Sequence, residues 1–158
     1  MSNTTELKGN WAELKGKLKQ QFALRQLALI GDLFIRVETS LSGKVYFNIV
    51  NAADVVDVKH DSRGNLTFIR IDVPFLVNDG QKDVQWILTE IWDITDPELA
   101  YMARWEYEDK GFLKFVDLTG LTESYPLSAF GIDFIPIVHG KAFDIGMNFG
   151  MPPIWTSL

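Results

Sequence analysis

The chain has 158 residues, of which 47% are apolar and 13% aromatic, a composition typical of globular proteins and not of disordered ones. It contains no cysteine, which excludes disulfide scaffolds and thiolate metal sites and fits a reducing compartment such as the cytoplasm. No apolar run approaches the roughly 18 residues that span a bilayer, so no membrane partner is expected. The length predicts a single domain over residues 1–158.

Charge is unevenly distributed along the chain. Residues 1–30 carry five Lys or Arg against two Asp or Glu, whereas residues 31–158 carry ten against nineteen and have a net charge of −9. An acidic surface repels phosphate groups, so the sequence does not predict a module that grips duplex DNA tightly. Double-stranded DNA could still pass close to such a surface without binding to it.

Residues 1–30 predict one long amphipathic helix. Apolar side chains recur every three or four residues and form one stripe, and Gly31 followed by Asp32 ends the helix after Ile30. This stripe is a candidate face for packing or for self-association, and its members are Leu7, Trp11, Leu14, Leu18 and Phe22. Lys8, Lys15 and Lys19 lie beside it, either as a solvated edge or as a basic contact to an acidic neighbour, including another copy of the chain.

Residues 31–120 predict a β-meander. Apolar and polar residues alternate with period two, and glycine-containing turns separate successive strands. Pro74 indicates an edge or a bulge because it cannot donate to a β-ladder, and residues 112–118 are predicted as a last hairpin arm. Residues 121–158 are predicted as a loop-rich segment with one strand. The fold class is therefore α+β, with the N-terminal helix packed on a twisted, mainly antiparallel sheet of hairpins.

No catalytic, cofactor-binding or metal-binding residue is predicted. His60 and His139 are the only histidines in the sequence, and neither has a second histidine at helical ligand spacing. Residues 57–65 resemble a calcium loop, but Phe68 stands where a bidentate glutamate is needed, so we interpret them as a hairpin turn.

Two alternatives concern side chains on the predicted strands. Glu106 and Glu108 would project from one strand face about 7 Å apart, either as the acid and base of a hydrolase or as part of an ordinary solvated face. Several aromatic residues could line a small-ligand pocket or could simply be core and cross-strand partners, namely Trp86, Trp92, Tyr101, Trp105 and Tyr107.

Four segments resemble known families. Residues 27–37 resemble the helix of tailed-bacteriophage portal proteins that ends in Gly-Asp and turns into a strand. Residues 87–92 (Ile-Leu-Thr-Glu-Ile-Trp) resemble a portal strand, and residues 134–139 (Phe-Ile-Pro-Ile-Val-His) resemble the proline-bearing strand that closes the portal wing. Separately, residues 9–22 are similar to the repeated helix of CsbD-like bacterial stress proteins, although the sequence after Gly31 is β-like where that family is helical.

The portal resemblance implies a non-catalytic structural protein that self-associates into a ring at one vertex of a phage head. It implies phage head or motor proteins as partners, double-stranded DNA passing without tight binding, no cofactor, and a location in the virion or the host cytoplasm. Portal subunits are several times longer, so the chain is expected to be either a wing-like fragment or a free-standing gene product. A free-standing small-ligand-binding β-rich domain and a hydrolase that uses strand carboxylates are the alternatives.

Overall fold

The computed structural model describes residues 3–78, 80–109, 123–143 and 146–150, with helix side chains described from residue 15. It shows an α+β protein in which an N-terminal helix precedes antiparallel hairpin strands. The elements in chain order are α1 (Asn3–Leu29), β1 (Asp32–Thr39), β2 (Val45–Val50), β3 (Val55–His60), β4 (Leu66–Asn78), β5 (Asp83–Asp93), β6 (Tyr101–Glu108), β7 (Glu123–Pro126) and β8 (Ile137–Lys141). Two short 3₁₀ helices occupy Ala52–Asp54 and Leu127–Phe130.

The chain divides into two compact units, and the single domain over 1–158 stays a prediction. Unit 1 consists of Met1–Ala52 and Pro136–Leu158, and unit 2 consists of Ala53–Ile135. Unit 1 holds α1 and a sheet with the strand order β2-β1-β8. Unit 2 holds a sheet with the order β3-β4-β5-β6-β7. The predicted meander over 31–120 is therefore shared between two sheets.

In unit 1, α1 packs against β1 and β2. The helix ends at Gly31, whose φ of 93° lies in the left-handed region that glycine tolerates best. The backbone N–H of Ile30 and that of Gly31 both donate to Gln26 O, which closes the last turn. β1 then pairs on one side with β2 and on the other with β8, antiparallel in both cases.

The segment 121–158 contributes two described strands, β7 and β8, instead of the single predicted one. β7 has only four residues, Glu-Ser-Tyr-Pro, and all of them are exposed. So short a segment has no recognisable alternation of apolar and polar residues, so the sequence does not indicate this strand. The predicted arm over 112–118 lies outside the described residues.

Unit 2 is built on the β4–β5 hairpin, which extends beyond both neighbouring strands. β3 pairs with β4 only as far as Ile71, and β6 pairs with β5 only from Trp86 onward. Residues 72–78 of β4 thus have β5 on one side and no β3 on the other.

The position of Pro74 agrees with its chemistry. The N–H of Ile94 donates to Thr67 O across the β4–β5 ladder, and the register of this pair is regular. Because hydrogen-bonded and non-hydrogen-bonded pairs alternate, even-numbered residues of β4 direct their backbone groups away from β5. The N–H that Pro74 lacks therefore belongs to the open edge, where its absence costs no bond to β5.

The two units differ in how much apolar surface they bury. Unit 2 has a core whose buried apolar residues are Val55, Val58, Leu66, Ile69, Ile71, Trp92, Ala103, Trp105, Leu127 and Ile135. Among the described residues of unit 1, only Phe34, Ala52 and Ile137 are buried apolar residues, while eleven large apolar residues are exposed. The described part of unit 1 thus exposes many of its apolar side chains.

Candidate functional site

Polar side chains anchor α1 to the β1–β2 hairpin. The ammonium group of Lys19 donates to the backbone oxygen of Phe47 and, at 3.0 Å, to Asn48 Oδ1. The amide nitrogen of Asn48 in turn donates to Glu38 Oε2 over 2.7 Å. Near the end of the helix, Gln26 Oε1 accepts the backbone N–H of Ala52 at 3.0 Å. These bonds fix which side of the helix faces the sheet.

The side of α1 that faces the sheet is not the predicted apolar stripe. At about 100° per residue, the centre of the side formed by Lys19, Ala23 and Gln26 lies roughly 90° around the helix from the centre of Leu18 and Phe22. Ala23 and Gln26 are half-buried, whereas Leu18 is 56% exposed and Phe22 is 40% exposed. Within the described part of the helix, the stripe is therefore available to a further surface.

Three of the five predicted stripe residues, Leu7, Trp11 and Leu14, have side chains outside the described part of the structure. Leu29 continues the stripe at the other end of the helix and is 63% exposed. Lys15 and Arg25 flank the stripe and are exposed as well. The surface formed by Lys15, Leu18, Phe22, Arg25 and Leu29 is called the helix stripe below.

The structure also brings together a buried pair that the sequence spacing did not reveal. His139 Nε2 lies 2.8 Å from Asp32 Oδ1, and the two side chains are only 1% and 3% exposed. The imidazole stacks on the ring of Phe34, with a centroid separation of 4.2 Å and an interplanar angle of 18°. The backbone N–H of Gly150 donates to the same oxygen, Asp32 Oδ1, at 2.7 Å.

This pair fastens three segments that are distant along the chain. Asp32 begins β1, His139 lies in β8, and Gly150 belongs to the C-terminal segment that follows β8. Lys141 adds a further tie, because its ammonium group donates to Met147 O at 2.7 Å. Aspartate and histidine also occur together in catalytic sites, where the imidazole must reach a substrate. Because both side chains are buried, the pair suits a structural role in which it holds these three segments together.

Ligand spacing within one element does not indicate this pair, because Asp32 and His139 lie in different strands. The β1–β8 register brings them together by pairing Phe34 with His139 and Asp32 with Lys141. That register joins residues more than one hundred positions apart, so no local pattern indicates it.

The alternative hydrolase residues, Glu106 and Glu108, occupy alternating positions on β6 and are both exposed. Residues 57–60 belong to β3, and residues 61–65 form the predicted hairpin turn. Asp61 Oδ1 accepts the backbone N–H groups of Arg63 and Asn65, both at 2.8 Å. A hydrogen bond from the Asn65 side chain, together with these two backbone bonds, lowers the pKa of Asp61. Among the described residues, no three His, Asp or Glu side chains are placed to hold a metal ion.

No protein-family model matches the chain, and no curated protein is significantly similar to it. Within the part of the chain that the structure describes, no helix combines the length and apolar content needed to cross a membrane.

Proposed function

We propose that the protein is a structural assembly module that works by self-association and not by catalysis, as the wing region of a phage portal does. The single observation that carries this proposal is the orientation of α1. Its apolar stripe points away from the sheet that the helix packs on, and Leu18, Phe22 and Leu29 are 40–63% exposed. Exposed apolar side chains on one side of a helix are typical of protein–protein contacts.

The charge distribution supports self-association in particular. Unit 1 has eight Lys or Arg against five Asp or Glu, and unit 2 has seven against sixteen, so their net charges are +3 and −9. A chain with one positive and one negative unit attracts other copies head to tail. Head-to-tail contacts are heterologous, and they close into a ring when the rotation between copies divides a full turn.

Within this proposal, the partners are other copies of the chain and phage head or motor proteins, in a virion or in the host cytoplasm. The negative unit 2 would let double-stranded DNA pass without tight binding, because it repels the phosphate backbone. The portal resemblance supplies these specific partners, and adjacency of the gene to a terminase gene would support them.

Size-exclusion chromatography with light scattering, run over a concentration series, tests the proposal. We expect the wild-type chain to form oligomers and Leu18→Glu to shift the equilibrium toward monomer by at least about tenfold in dissociation constant, because the substitution places a charge in an apolar contact. The matched control is Leu24→Glu. Leu24 is 66% exposed on the same helix, about 140° away from the stripe, and its substitution should leave assembly unchanged.

A wild-type chain that stays monomeric at every concentration would refute self-association. Equal effects of Leu18→Glu and Leu24→Glu would refute the role of the helix stripe.

A further inference from the structure

We infer that the helix stripe of one copy docks on the apolar face of the β4–β5 hairpin of a second copy. This inference rests on the proposed self-association and names the surface that receives the helix. It starts from the part of the β4–β5 hairpin that extends beyond β3, where the side chains that β4 and β5 place on one face are all apolar.

The register between β4 and β5 defines that face. Val73 is paired with Leu88, Phe75 with Trp86, and Val77 with Val84. Since paired residues lie on the same side of a sheet and successive residues alternate, these six side chains share one face. Val73 and Val77 are each 37% exposed, and the other four are half-buried. We call these six residues the hairpin face.

The opposite face of the same part of the hairpin carries hydrogen-bonded polar pairs. Asp72 lies opposite Thr89, and the hydroxyl group of Thr89 donates to Asp72 Oδ1 at 2.9 Å. Nearer the tip, the amide nitrogen of Asn78 donates to Asp83 Oδ1 at 2.9 Å. Two hydrogen-bonded polar pairs thus occupy this face together with Pro74, Leu76 and Ile87, whereas all six residues of the hairpin face are apolar. An exposed apolar face on an extended hairpin is typical of a surface that packs against another protein.

The charged residues that border the hairpin face indicate which surface binds to it. Glu106 is paired with Leu88 and Glu108 with Trp86, so both carboxylates lie on the same side of the sheet as the hairpin face and border it. Both are exposed. The helix stripe offers apolar Leu18 and Phe22, flanked by the cations of Lys15 and Arg25.

Apolar groups would meet apolar groups and cations would meet carboxylates in this contact. The net charges of the two units, +3 and −9, favour the same orientation. The occupant that the observations favour is therefore the helix of a second copy.

A complementation experiment tests this contact. Leu18→Glu damages only the helix stripe, and Val77→Glu damages only the hairpin face. Each variant alone should be monomeric by light scattering. An equimolar mixture should give a dimer and nothing larger, because one intact stripe meets one intact hairpin face and neither end can grow.

The control for the hairpin variant is Leu76→Glu. Leu76 neighbours Val77, is 68% exposed and projects from the opposite face, so its substitution should leave assembly as in the wild type. Circular dichroism melts of the two variants confirm that each is folded. As a second measurement that does not depend on Val77, Glu106→Lys should weaken assembly by about tenfold, and adding Lys15→Glu to the same chain should restore it.

The outcomes separate the inference from the proposed function. A wild-type chain that never associates overturns both. A wild-type chain that assembles while Val77→Glu also assembles, or a mixture that stays monomeric, overturns the inference and leaves self-association standing. Failure of Lys15→Glu to rescue Glu106→Lys likewise overturns the inference.

Discussion

At the scale of single residues, Gly150 lies where the described structure leaves no room for a side chain. A Cβ atom there would collide with the backbone oxygen of Gly31 and would lie 3.1 Å from both Asp32 Oδ1 and Lys141 Cβ. Because backbone atoms cannot move aside easily, we expect Gly150→Ala to lower the free energy of unfolding by about 1–3 kcal/mol. Urea denaturation followed by tryptophan fluorescence measures this change.

Substitution of Gly16 is the control, because it should change the free energy of unfolding in the opposite direction. It lies within α1, and no atom stands within 4 Å of where its Cβ would be. Alanine has a higher helix propensity than glycine, so Gly16→Ala should raise the free energy of unfolding by up to about 1 kcal/mol. Stabilisation by Gly150→Ala would contradict the close approach of the C-terminal segment to Gly31.

At the scale of elements, the buried pair of Asp32 and His139 joins β1, β8 and the C-terminal segment. Asp32→Ala removes the acceptor for two donors, His139 Nε2 and the N–H of Gly150. Leaving these buried groups unpaired should cost about 3 kcal/mol of unfolding free energy. Asp32→Asn keeps an acceptor oxygen at the same place and should cost less. Thermal and urea unfolding of both variants measures the difference, and equal losses would contradict a hydrogen-bonding role.

The same elements show how far the sequence could predict the fold. The hairpin turns were predictable, because Gly43, Gly64 and Gly80 all adopt positive φ between successive period-two segments. The partner of β8 was not, since pairing Ile137 with Arg36 depends on tertiary contacts. The fold class followed from local patterns, whereas the division of the strands between two sheets depends on these long-range pairings.

The helix illustrates the same limit for the candidate site. Periodicity indicated an apolar stripe, but it could not tell whether the stripe packs on its own sheet or on a neighbour. The answer depends on Lys19 and Gln26, whose bonds to Phe47, Asn48 and Ala52 turn another side of the helix toward the sheet. Polar anchors of this kind have no periodic signature in the sequence, so their effect appears only in the structure.

At the scale of the whole molecule, opposite net charges of +3 and −9 give self-association an electrostatic part that salt should weaken. The Debye length falls from about 10 Å at 0.1 M salt to about 3 Å at 1 M, so exposed cations and carboxylates lose most of their attraction. Over a range from about 0.05 M to about 0.5 M NaCl, we expect the dissociation constant of the wild-type oligomer to rise several-fold.

The variant that combines Lys15→Glu with Glu106→Lys makes the salt experiment specific. It exchanges the two charges across the proposed contact and keeps the net charge of the chain, but it changes the net charges of the two units from +3 and −9 to +1 and −7, so salt should weaken its assembly less than that of the wild type. Lys15→Glu alone places two carboxylates together, and added salt should then strengthen assembly by screening their repulsion. Sedimentation velocity at several salt concentrations measures all three chains. A wild-type oligomer that strengthens with salt would show that apolar burial alone drives the contact, and it would contradict a charge-guided head-to-tail arrangement.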